Sequence, residues 1–341
     1  MKRIDSRELT EFGIQFLCAY GASPSNAAII TGHLVDNDLK GVESQGAMRL
    51  FEYARFMAEG QVNGQAAPAV QEAAPNVFRV DGSRGFGIVA MEMAVEKMLQ
   101  ALSGGRATAV AAVTGVGHTG RVGAYSEALA KHFCFGCVYG GGGHKEHPSV
   151  APFGGAKGVM STNPVALAMP GMDGVPLSAD FATSASGGGK LRLAQRKGTL
   201  LPEGQILDRN GNPSVRPEDY FDGGVMLPAA GPKGSGLGMI NELLCYGLLG
   251  DPVEFNWFLT AVRLDLFCSE EDYTHRTEEF LTKVTQTPPR PGFDAVCYPG
   301  QYEARLAAER RISGVSISDS TAQRLVSMAQ ERGVSIPPAL L

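Results

Sequence analysis

The periodicity of apolar residues predicts a helical start to the chain. Apolar positions recur at helical spacing in residues 6–21, 23–41 and 44–60. The first and third segments begin at a serine, which favours a helix N-cap, and all three end at a glycine, which favours a helix C-terminus. The polar segment 303–333 is also predicted to be helical and to pack beside this N-terminal region.

Short apolar runs in the middle of the chain predict buried strands. Residues 107–114, 135–140 and 165–170 are apolar almost throughout and are bounded by glycine or proline. The pattern also predicts strands at 76–82 and 256–267, an amphipathic helix at 87–102, and a loop followed by a strongly apolar helix within 224–250. Because strands and helices alternate between about residues 76 and 290, we expect an α/β core.

Composition excludes several classes of partner. The 341 residues carry a formal charge of −5 and contain no stripe of lysine and arginine, which argues against nucleic acid binding. No signal peptide and no membrane-spanning apolar run is apparent, so we expect a cytoplasmic protein without a membrane partner. Cys134 and Cys137 form a C-x-x-C pair, but no second pair follows, and small core residues of a buried strand are the favoured interpretation.

Glycine is unusually abundant, with 44 residues, and it clusters in four short loops: "GVGHTG", "GGGGH", "SGGGKL" and "AAGPKGSG". Glycine in such loops allows positive φ or a close approach of the backbone to a ligand, so we expect a bound cofactor. The first loop contains a G-x-G-x-x-G at Gly115, Gly117 and Gly120. A Rossmann fold is not favoured, because no acidic residue follows about 20 residues later to hold a ribose. The strand–turn–helix context still allows the loop to meet a phosphate.

Six segments, in order along the chain, resemble the type-2 malate/L-lactate dehydrogenase family. They are "DNDLKGVESQGAMRLFEY", "GVGHTGRVGAYSEALA", "APFGGAKGVMSTNPVALAMP", "DFATSASGGGKL", "LPAAGPKGSGLGMINELLCYGLLG" and "YPGQYEARLAAERR". The resemblance implies an α/β fold with a non-Rossmann, mixed-sheet nicotinamide-binding domain. It also implies NADH or NADPH as cofactor, a small carboxylate as substrate, and a homodimer. The predicted organisation is a helical domain at 1–75, the cofactor-binding domain at 76–295, and a helical tail at 296–341 that packs on the N-terminal domain.

The resemblance assigns roles to residues near the start of the third predicted helix and in the histidine loop. Arg49 corresponds to the residue that binds the substrate carboxylate, for which a guanidinium fork is suited. Ser44 can cap this helix and contact substrate, although capping alone would explain it. His118 corresponds to the acid/base of some members, since imidazole titrates near neutral pH, although a loop histidine bonded to backbone is an alternative. Thr162 and Asn163 are placed beside substrate or nicotinamide.

A second group is assigned to the cofactor. These residues are Thr119, Gly120, Asp180, Phe181, Ala182, Lys190, Lys233 and Arg305. Lys233 precedes a helix, where it suits a phosphate or ribose contact. Lys190 and Arg305 are weaker candidates of the same kind, because a solvated charge explains them equally well.

The chain departs from the family at three places. Gln45 replaces a histidine that some members use as proton donor, and glutamine does not titrate. His144 and His147 lie in a glycine-rich loop, where His144 is a candidate replacement acid; a metal is not expected, since two ligands without a third make a weak site. Residues 250–256 form a shorter loop than the corresponding family segment.

These features support hydride transfer to or from C2 of a 2-oxo or 2-hydroxy carboxylate, with Ser44, Gln45 and His118 at the reacting centre. Two alternatives stay open. One is a reductase of cyclic or N-substituted 2-imino acids, because an iminium arrives already protonated. The other is a catalytically inactive relative that binds a metabolite.

Overall fold

Helices and strands alternate along the computed structural model, which describes residues 1–146 and 148–341. The α-helices are α1 Ser6–Ala19, α2 Pro24–Leu39, α3 Arg49–Ala58, α4 Gly87–Ser103, α5 Gly123–Ala130, α6 Gly188–Lys197, α7 Pro217–Phe221, α8 Pro232–Glu242, α9 Glu270–Thr285, α10 Gln301–Ser313 and α11 Asp319–Glu331. The strands are β1 Lys2–Ile4, β2 Ala69–Ala74, β3 Val77–Gly85, β4 Thr108–Val116, β5 Cys134–Gly141, β6 Pro164–Met169, β7 Leu177–Ala182, β8 Ile206–Leu207, β9 Pro213–Ser214, β10 Val225–Met226, β11 Asn256–Arg263 and β12 Val315–Ile317.

The central sheet is mixed, as the family resemblance implies. Its strand order is β2-β3-β4-β11-β5-β6-β7. Within the described residues, β3 and β4 are its one parallel pair, joined through α4, and every other neighbouring pair is antiparallel. A doubly wound Rossmann sheet is mostly parallel. The expectation of a non-Rossmann fold is therefore confirmed.

The first and last parts of the chain share one hydrophobic core. Strand β1 pairs antiparallel with β12, with Lys2 opposite Ile317. Phe16 and Leu34 from the N-terminal helices and Leu325 from α11 are fully buried in the same cluster. This arrangement places the tail against the N-terminal helices, beside the sheet.

The third predicted helix is interrupted, which corrects the prediction of one helix over residues 44–60. A 3₁₀ turn, Glu43–Gln45, is separated from α3 by Gly46, which is extended, and by a turn at residues 47–48. The carboxylate of Asp38 accepts a hydrogen bond from the Ala47 N–H at 2.6 Å, and a Cβ at Gly46 would collide with that carboxylate. The buried Asp38 thus takes up a backbone donor that a continuous helix would use. Ser44 makes no capping bond to α3.

The cap of α1 also differs from the prediction. Asp5, and not Ser6, accepts hydrogen bonds from the N–H groups of Arg7 and Glu8. A carboxylate in that position also interacts favourably with the positive end of the helix dipole.

The two cysteines of the C-x-x-C pair lie in the core. Cys134 and Cys137 are buried in β5, as expected, and burial raises the pKa of Cys134 to about 11.

The apolar helix predicted within 224–250 is α8 with a following π-helical turn, Leu243–Gly247. Its residues Met239, Ile240, Leu243 and Leu248 are exposed. None of the described helices combines the length and the apolar character needed to cross a bilayer.

Candidate active site

A cavity of about 1070 Å³ lies where the Glu43–Gln45 turn, the loop after β4 and the loop between β7 and α6 meet. Its volume is at the upper end of the range of about 300–1,000 Å³ for ligand sites. The predicted site residues that line it are Ser44, Gln45, Arg49, His118, Thr119, Gly120, Thr162, Asp180, Phe181, Ala182 and Lys190. The fold therefore brings together residues that are widely separated in sequence.

His118 is held by its Nδ1 atom. Nδ1 lies 2.7 Å from the hydroxyl oxygen of Tyr53 and accepts a hydrogen bond from the Gly120 N–H at 3.2 Å. Because an N–H group only donates, Nδ1 carries the lone pair and the imidazole proton is assigned to Nε2. The Tyr53 hydroxyl then donates to Nδ1 as well, which leaves Nε2–H as the donor of the ring.

The electrostatic surroundings keep His118 neutral. Burial lowers the pKa of His118 to about 3, and the positive charge of Arg49 and the nearby His33 add to the effect. Burial also raises the pKa of Tyr53 well above its ordinary value, so that the phenol keeps its proton. The expectation that His118 titrates near neutral pH is therefore wrong, since desolvation disfavours the charged imidazolium.

Arg49 is fixed at the first residue of α3. Its Nε donates to the Ser44 carbonyl at 2.8 Å, and its Nη1 donates to the Glu52 carboxylate at 2.5 Å. Ser44 thus orients the guanidinium through its main chain. Gln45 and Arg49 both line the cavity, although they do not share one helix as the sequence pattern predicted.

Three polar atoms in the cavity wall are buried and have no hydrogen-bond partner among the described residues: Gln45 Oε1, Ser178 Oγ and Trp257 Nε1. Buried polar atoms in native proteins are nearly always paired. Their clustering around one cavity fits a polar ligand that supplies the missing partners.

The opposite end of the cavity has features that fit a dinucleotide. Gly187, Gly188 and Gly189 line the cavity at the start of α6, and a Cβ at any of them would meet nothing within 4 Å. The backbone N–H groups of a helix start suit a phosphate. Nearby, the Asp180 carboxylate accepts a hydrogen bond from the Gly123 N–H at 2.7 Å, which ties β7 to the start of α5. The residues present therefore fit a nicotinamide dinucleotide.

Several predicted residues lie outside the cavity lining. Lys233 is exposed at the start of α8, and Arg305 is exposed, with Nη1 3.8 Å from the Cys297 Sγ. Asn163 is fully buried and donates to the Gly238 carbonyl, so that it holds α8. His144 lies 3.2 Å from the Glu242 carboxylate.

The glycine-rich loop that contains His144 and His147 was considered as a metal site. His147 lies outside the described residues, so the His144–His147 pair is not placed. Among the residues on either side of that position, no group of three or more His, Cys, Asp or Glu side chains is arranged to hold a metal ion.

Four residues of the site were not found from the sequence: Tyr53, Arg121, Glu127 and Glu254. Tyr53 follows Arg49 by four residues on α3, a spacing that places both on one face of the helix, so a signal existed. Arg121 and Glu127 form a buried two-point ion pair, in which Nη1 and Nη2 donate at 2.6 and 2.9 Å. Glu254 precedes β11, and burial raises its pKa to about 7 although the charge of Arg49 opposes the rise. No local pattern marks Glu254.

Comparison with known proteins identifies the family. A model described as malate/L-lactate dehydrogenase matches residues 4–326. The chain is 29% identical over 328 residues to the ureidoglycolate dehydrogenase (NAD(+)) of Escherichia coli, with 92% of each chain covered. It is 30% identical over 356 residues to the malate dehydrogenase of Pyrococcus abyssi, covering 97% of this chain and 95% of the other.

A solved structure shows the same fold. The Δ1-piperideine-2-carboxylate reductase of Pseudomonas syringae superposes with a TM-score of 0.85 at 26% identity, covering 96% of this chain and all (100%) of the other. The chain belongs to the malate/L-lactate dehydrogenase family.

Proposed function

We propose that the protein transfers hydride between a nicotinamide dinucleotide, NADH or NADPH, and C2 of a small 2-oxo or 2-hydroxy carboxylate. The observation that supports this most is that Arg49 and His118 line one cavity together with the glycine-rich loop before α6. One cavity therefore offers a carboxylate anchor, a hydrogen-bond donor and a helix start that suits a phosphate.

Arg49 binds the substrate carboxylate in this proposal. The contacts of Nε with Ser44 and of Nη1 with Glu52 fix the plane of the guanidinium before substrate arrives. A side chain that is already ordered loses little conformational entropy on binding. Thr162 lies on the cavity wall as a further substrate contact.

The glycine loops and Asp180 hold the cofactor. When bound, the nicotinamide supplies or accepts the hydride. Thr119 and Gly120, beside His118, and Asp180, Phe181 and Ala182, at the end of β7, surround it. Lys190, the third residue of α6, lies on the cavity wall where a phosphate would meet the helix start. For Lys233 and Arg305, which do not line the cavity, we propose no direct contact.

His118 donates its Nε2–H to the substrate oxygen. A neutral imidazole can stabilise the negative charge that develops on that oxygen, as a hydrogen-bond donor in a buried site. Full protonation of the oxygen is more demanding, because the pKa of His118 is lowered to about 3. A carboxylate bound to Arg49 would cancel one of the positive charges that lower the pKa of His118, and would therefore raise that pKa towards its ordinary value.

A second candidate activity is the reduction of a 2-imino acid. Neither His118, which stays neutral, nor Gln45, which cannot titrate, holds a readily released proton at neutral pH. An iminium substrate needs hydride alone, so this cavity suits it without further groups. The similarity to the Δ1-piperideine-2-carboxylate reductase supports the same candidate.

The deciding experiment measures NADH and NADPH oxidation with pyruvate, and separately with pyruvate plus methylamine. Oxidation with pyruvate alone supports the carbonyl substrate, and oxidation that requires the amine supports the imine. An inactive metabolite-binding relative would oxidise neither cofactor under either condition, while still binding a carboxylate.

We also propose a homodimer that forms through α8. Four apolar residues are exposed along this part of the chain: Met239 and Ile240 on α8, Leu243 at the start of the π-helical turn, and Leu248 directly after that turn. A contiguous exposed apolar surface of this kind marks an interaction site more often than free surface. A second copy of the chain is the partner that the family resemblance implies.

A further inference from the structure

Glu254 is an acidic residue at the substrate end of the cavity that the mechanism above does not use. Its side chain lines the cavity together with Arg49, Gln45 and His118. Arg49 is already paired with Glu52, and within residues 1–146 and 148–341 the Glu254 carboxylate takes part in no ion pair. A partly buried carboxylate of this kind is costly unless something else compensates its charge.

The charge of Glu254 acts at the reacting centre. Burial is the main cause of the raised pKa of Tyr53. The positive charge of Arg49 lowers this pKa, whereas the negative charges of Glu254 and Glu52 raise it further. The Tyr53 hydroxyl lies 2.7 Å from His118 Nδ1, and Glu254 and His118 line the same cavity, so the carboxylate shares the cavity in which we propose hydride transfer.

The charges around Arg49 do not suit a purely anionic substrate. Glu52 balances Arg49, so this end of the cavity has a net negative charge when Glu254 is ionised, and burial, which raises the pKa of Glu254 to about 7, disfavours that state unless a positive group compensates it. A substrate carboxylate adds a second negative charge, and a dianionic acid adds two. Like charges in a low-dielectric cavity repel strongly, whereas a positive group on the substrate would restore the balance.

We infer that Glu254 is the counter-charge for a cationic nitrogen on the substrate, so that the cavity selects a zwitterion whose C2 carries a protonated imine. This inference rests on the proposed hydride transfer at C2 of a carboxylate held by Arg49. It makes Glu254 a specificity-determining residue of that reaction.

The chemistry is balanced without a proton donor. The C2 atom of the iminium gains one hydride from the dihydronicotinamide, the π electrons of the C=N bond become the nitrogen lone pair, and the nitrogen charge falls from positive to zero. Because Glu254 interacts with the charge that is lost, it stabilises bound substrate more than the transition state. Glu254 therefore tightens the binding of the substrate and raises the fraction of the bound imine that is protonated.

A binding experiment tests the inference without turnover. Trp257 is the single tryptophan of the chain and lines the cavity, so its fluorescence reports occupancy. The probes are proline and tetrahydrofuran-2-carboxylate, which differ by a ring NH₂⁺ and a ring oxygen. We expect the wild-type protein to bind proline more tightly by about ten- to one-hundredfold, the value of one charge-assisted hydrogen bond. Glu254→Gln should remove most of this preference, and Glu254→Asp should retain part of it.

Asp251→Asn is the matched control, because Asp251 lies in the same segment before β11 but is exposed, pairs with Lys145 and does not line the cavity. It should leave the preference for proline unchanged. Equal binding of both probes by the wild-type protein, or an unchanged preference in Glu254→Gln, would overturn the inference.

Steady-state kinetics separate this inference from the proposed function. With pyruvate plus methylamine, Glu254→Gln should raise KM about tenfold or more and change kcat little. With pyruvate alone, the same variant should bind substrate at least as well as the wild type. Equal losses with both substrates would show that Glu254 is a proton donor or a structural residue, and the inference would fail. If the wild-type enzyme oxidises neither cofactor with either substrate, the proposed function fails instead, and the binding experiment still decides the role of Glu254.

Discussion

The hydroxyl oxygen of Tyr53 lies 2.7 Å from Nδ1 of His118, and together with the Gly120 N–H it assigns the imidazole proton to Nε2. Tyr53→Phe removes this donor and leaves Nδ1 with the Gly120 N–H alone. We expect kcat to fall about five- to tenfold, the effect of one lost hydrogen bond, with KM nearly unchanged because Arg49 is not touched.

The control for this variant is Tyr20→Phe, which removes a hydroxyl that donates to the Met328 carbonyl in the N-terminal core. It should leave both kinetic constants unchanged. If Tyr53→Phe changed KM as much as kcat, Tyr53 would shape the substrate pocket and would not orient His118.

Arg49→Ala should lower kcat/KM at least tenfold, mainly through KM, without loss of the fold. A charged hydrogen bond to a carboxylate contributes about 1.5–3 kcal/mol, or one to two decades. Arg55→Ala is the comparison, since Arg55 lies on the same helix and has an ion pair with Glu59 at 3.7 Å. Full activity of Arg49→Ala at sub-saturating substrate would remove the carboxylate anchor from the proposal.

His118→Asn separates the two candidate activities. For a carbonyl substrate we expect a loss of roughly 10²–10³-fold, the range for a lost hydrogen-bond donor to a developing oxyanion. For an iminium the loss should be small, because hydride transfer needs no proton. Equal losses on both substrates would mean that His118 positions the cofactor.

Gln45→His gives the complementary measurement. It places a titratable imidazole at a position where, among the described residues, the Gln45 Oε1 atom has no hydrogen-bond partner. It should raise carbonyl reduction if the missing acid limits that reaction, and it should change imine reduction little. A gain of equal size on both substrates would contradict this explanation of Gln45.

Acid should destabilise the protein through its buried histidines. Burial lowers the pKa of His33 to about 4, from an ordinary value of 6.5. Below pH 6.5 the unfolded chain therefore binds a proton that the folded protein does not, and the free energy of unfolding falls with pH by up to about 1.4 kcal/mol per unit until the folded pKa is reached. The difference in unfolding free energy between wild type and His33→Gln should therefore decrease by up to about 1.4 kcal/mol for each pH unit as the pH falls from 6.5 to 4.

Urea unfolding across that pH range measures the slope. His132→Gln serves as the reference, because His132 is exposed. A pH-independent difference for His33→Gln would show that the folded and unfolded states bind the same number of protons at His33, so that its pKa is not lowered by folding.

The exposed face of α8 predicts the oligomeric state. We expect the wild-type protein to sediment at twice the mass of one chain, and Leu243→Asp to sediment as a monomer, because Leu243 is 69% exposed within the apolar patch. Ile312→Asp is the control, since Ile312 is 92% exposed on α10, away from this patch. A fully active wild-type monomer would exclude the dimer proposal.

Local patterns were sufficient to predict the buried strands and most helices. The apolar runs that became β4, β5, β6 and β11 are buried in the sheet, and such strands have few polar positions to confuse the pattern. Strand β2 was missed because all six of its residues are exposed and show no alternation. The break at Gly46 was missed because its cause, the Asp38 carboxylate, lies on a different helix.

Residues of the candidate site could be predicted where they belong to a sequence motif. They could not be predicted where only the folded structure brings them into the cavity. The family segments pointed to Arg49, His118 and Asp180, and all three line the cavity. Glu254 carries no such signal, because its nearness to Arg49 depends on the position of β11 in the sheet. The perturbed pKa of His118 was likewise not visible, since burial is a property of the folded structure.

The position of β11 has a consequence for biosynthesis. Strands β4 and β5 are made early, yet each pairs with β11, which lies between them and is the last strand of this sheet to be synthesised. Until then both strands present open edges, which invite pairing with other chains, and the non-local pairing that removes them is slow to form. The ribosome must therefore release nearly the whole α/β region before the sheet can close, and the cavity wall formed by Glu254 and Trp257 is completed only at that moment.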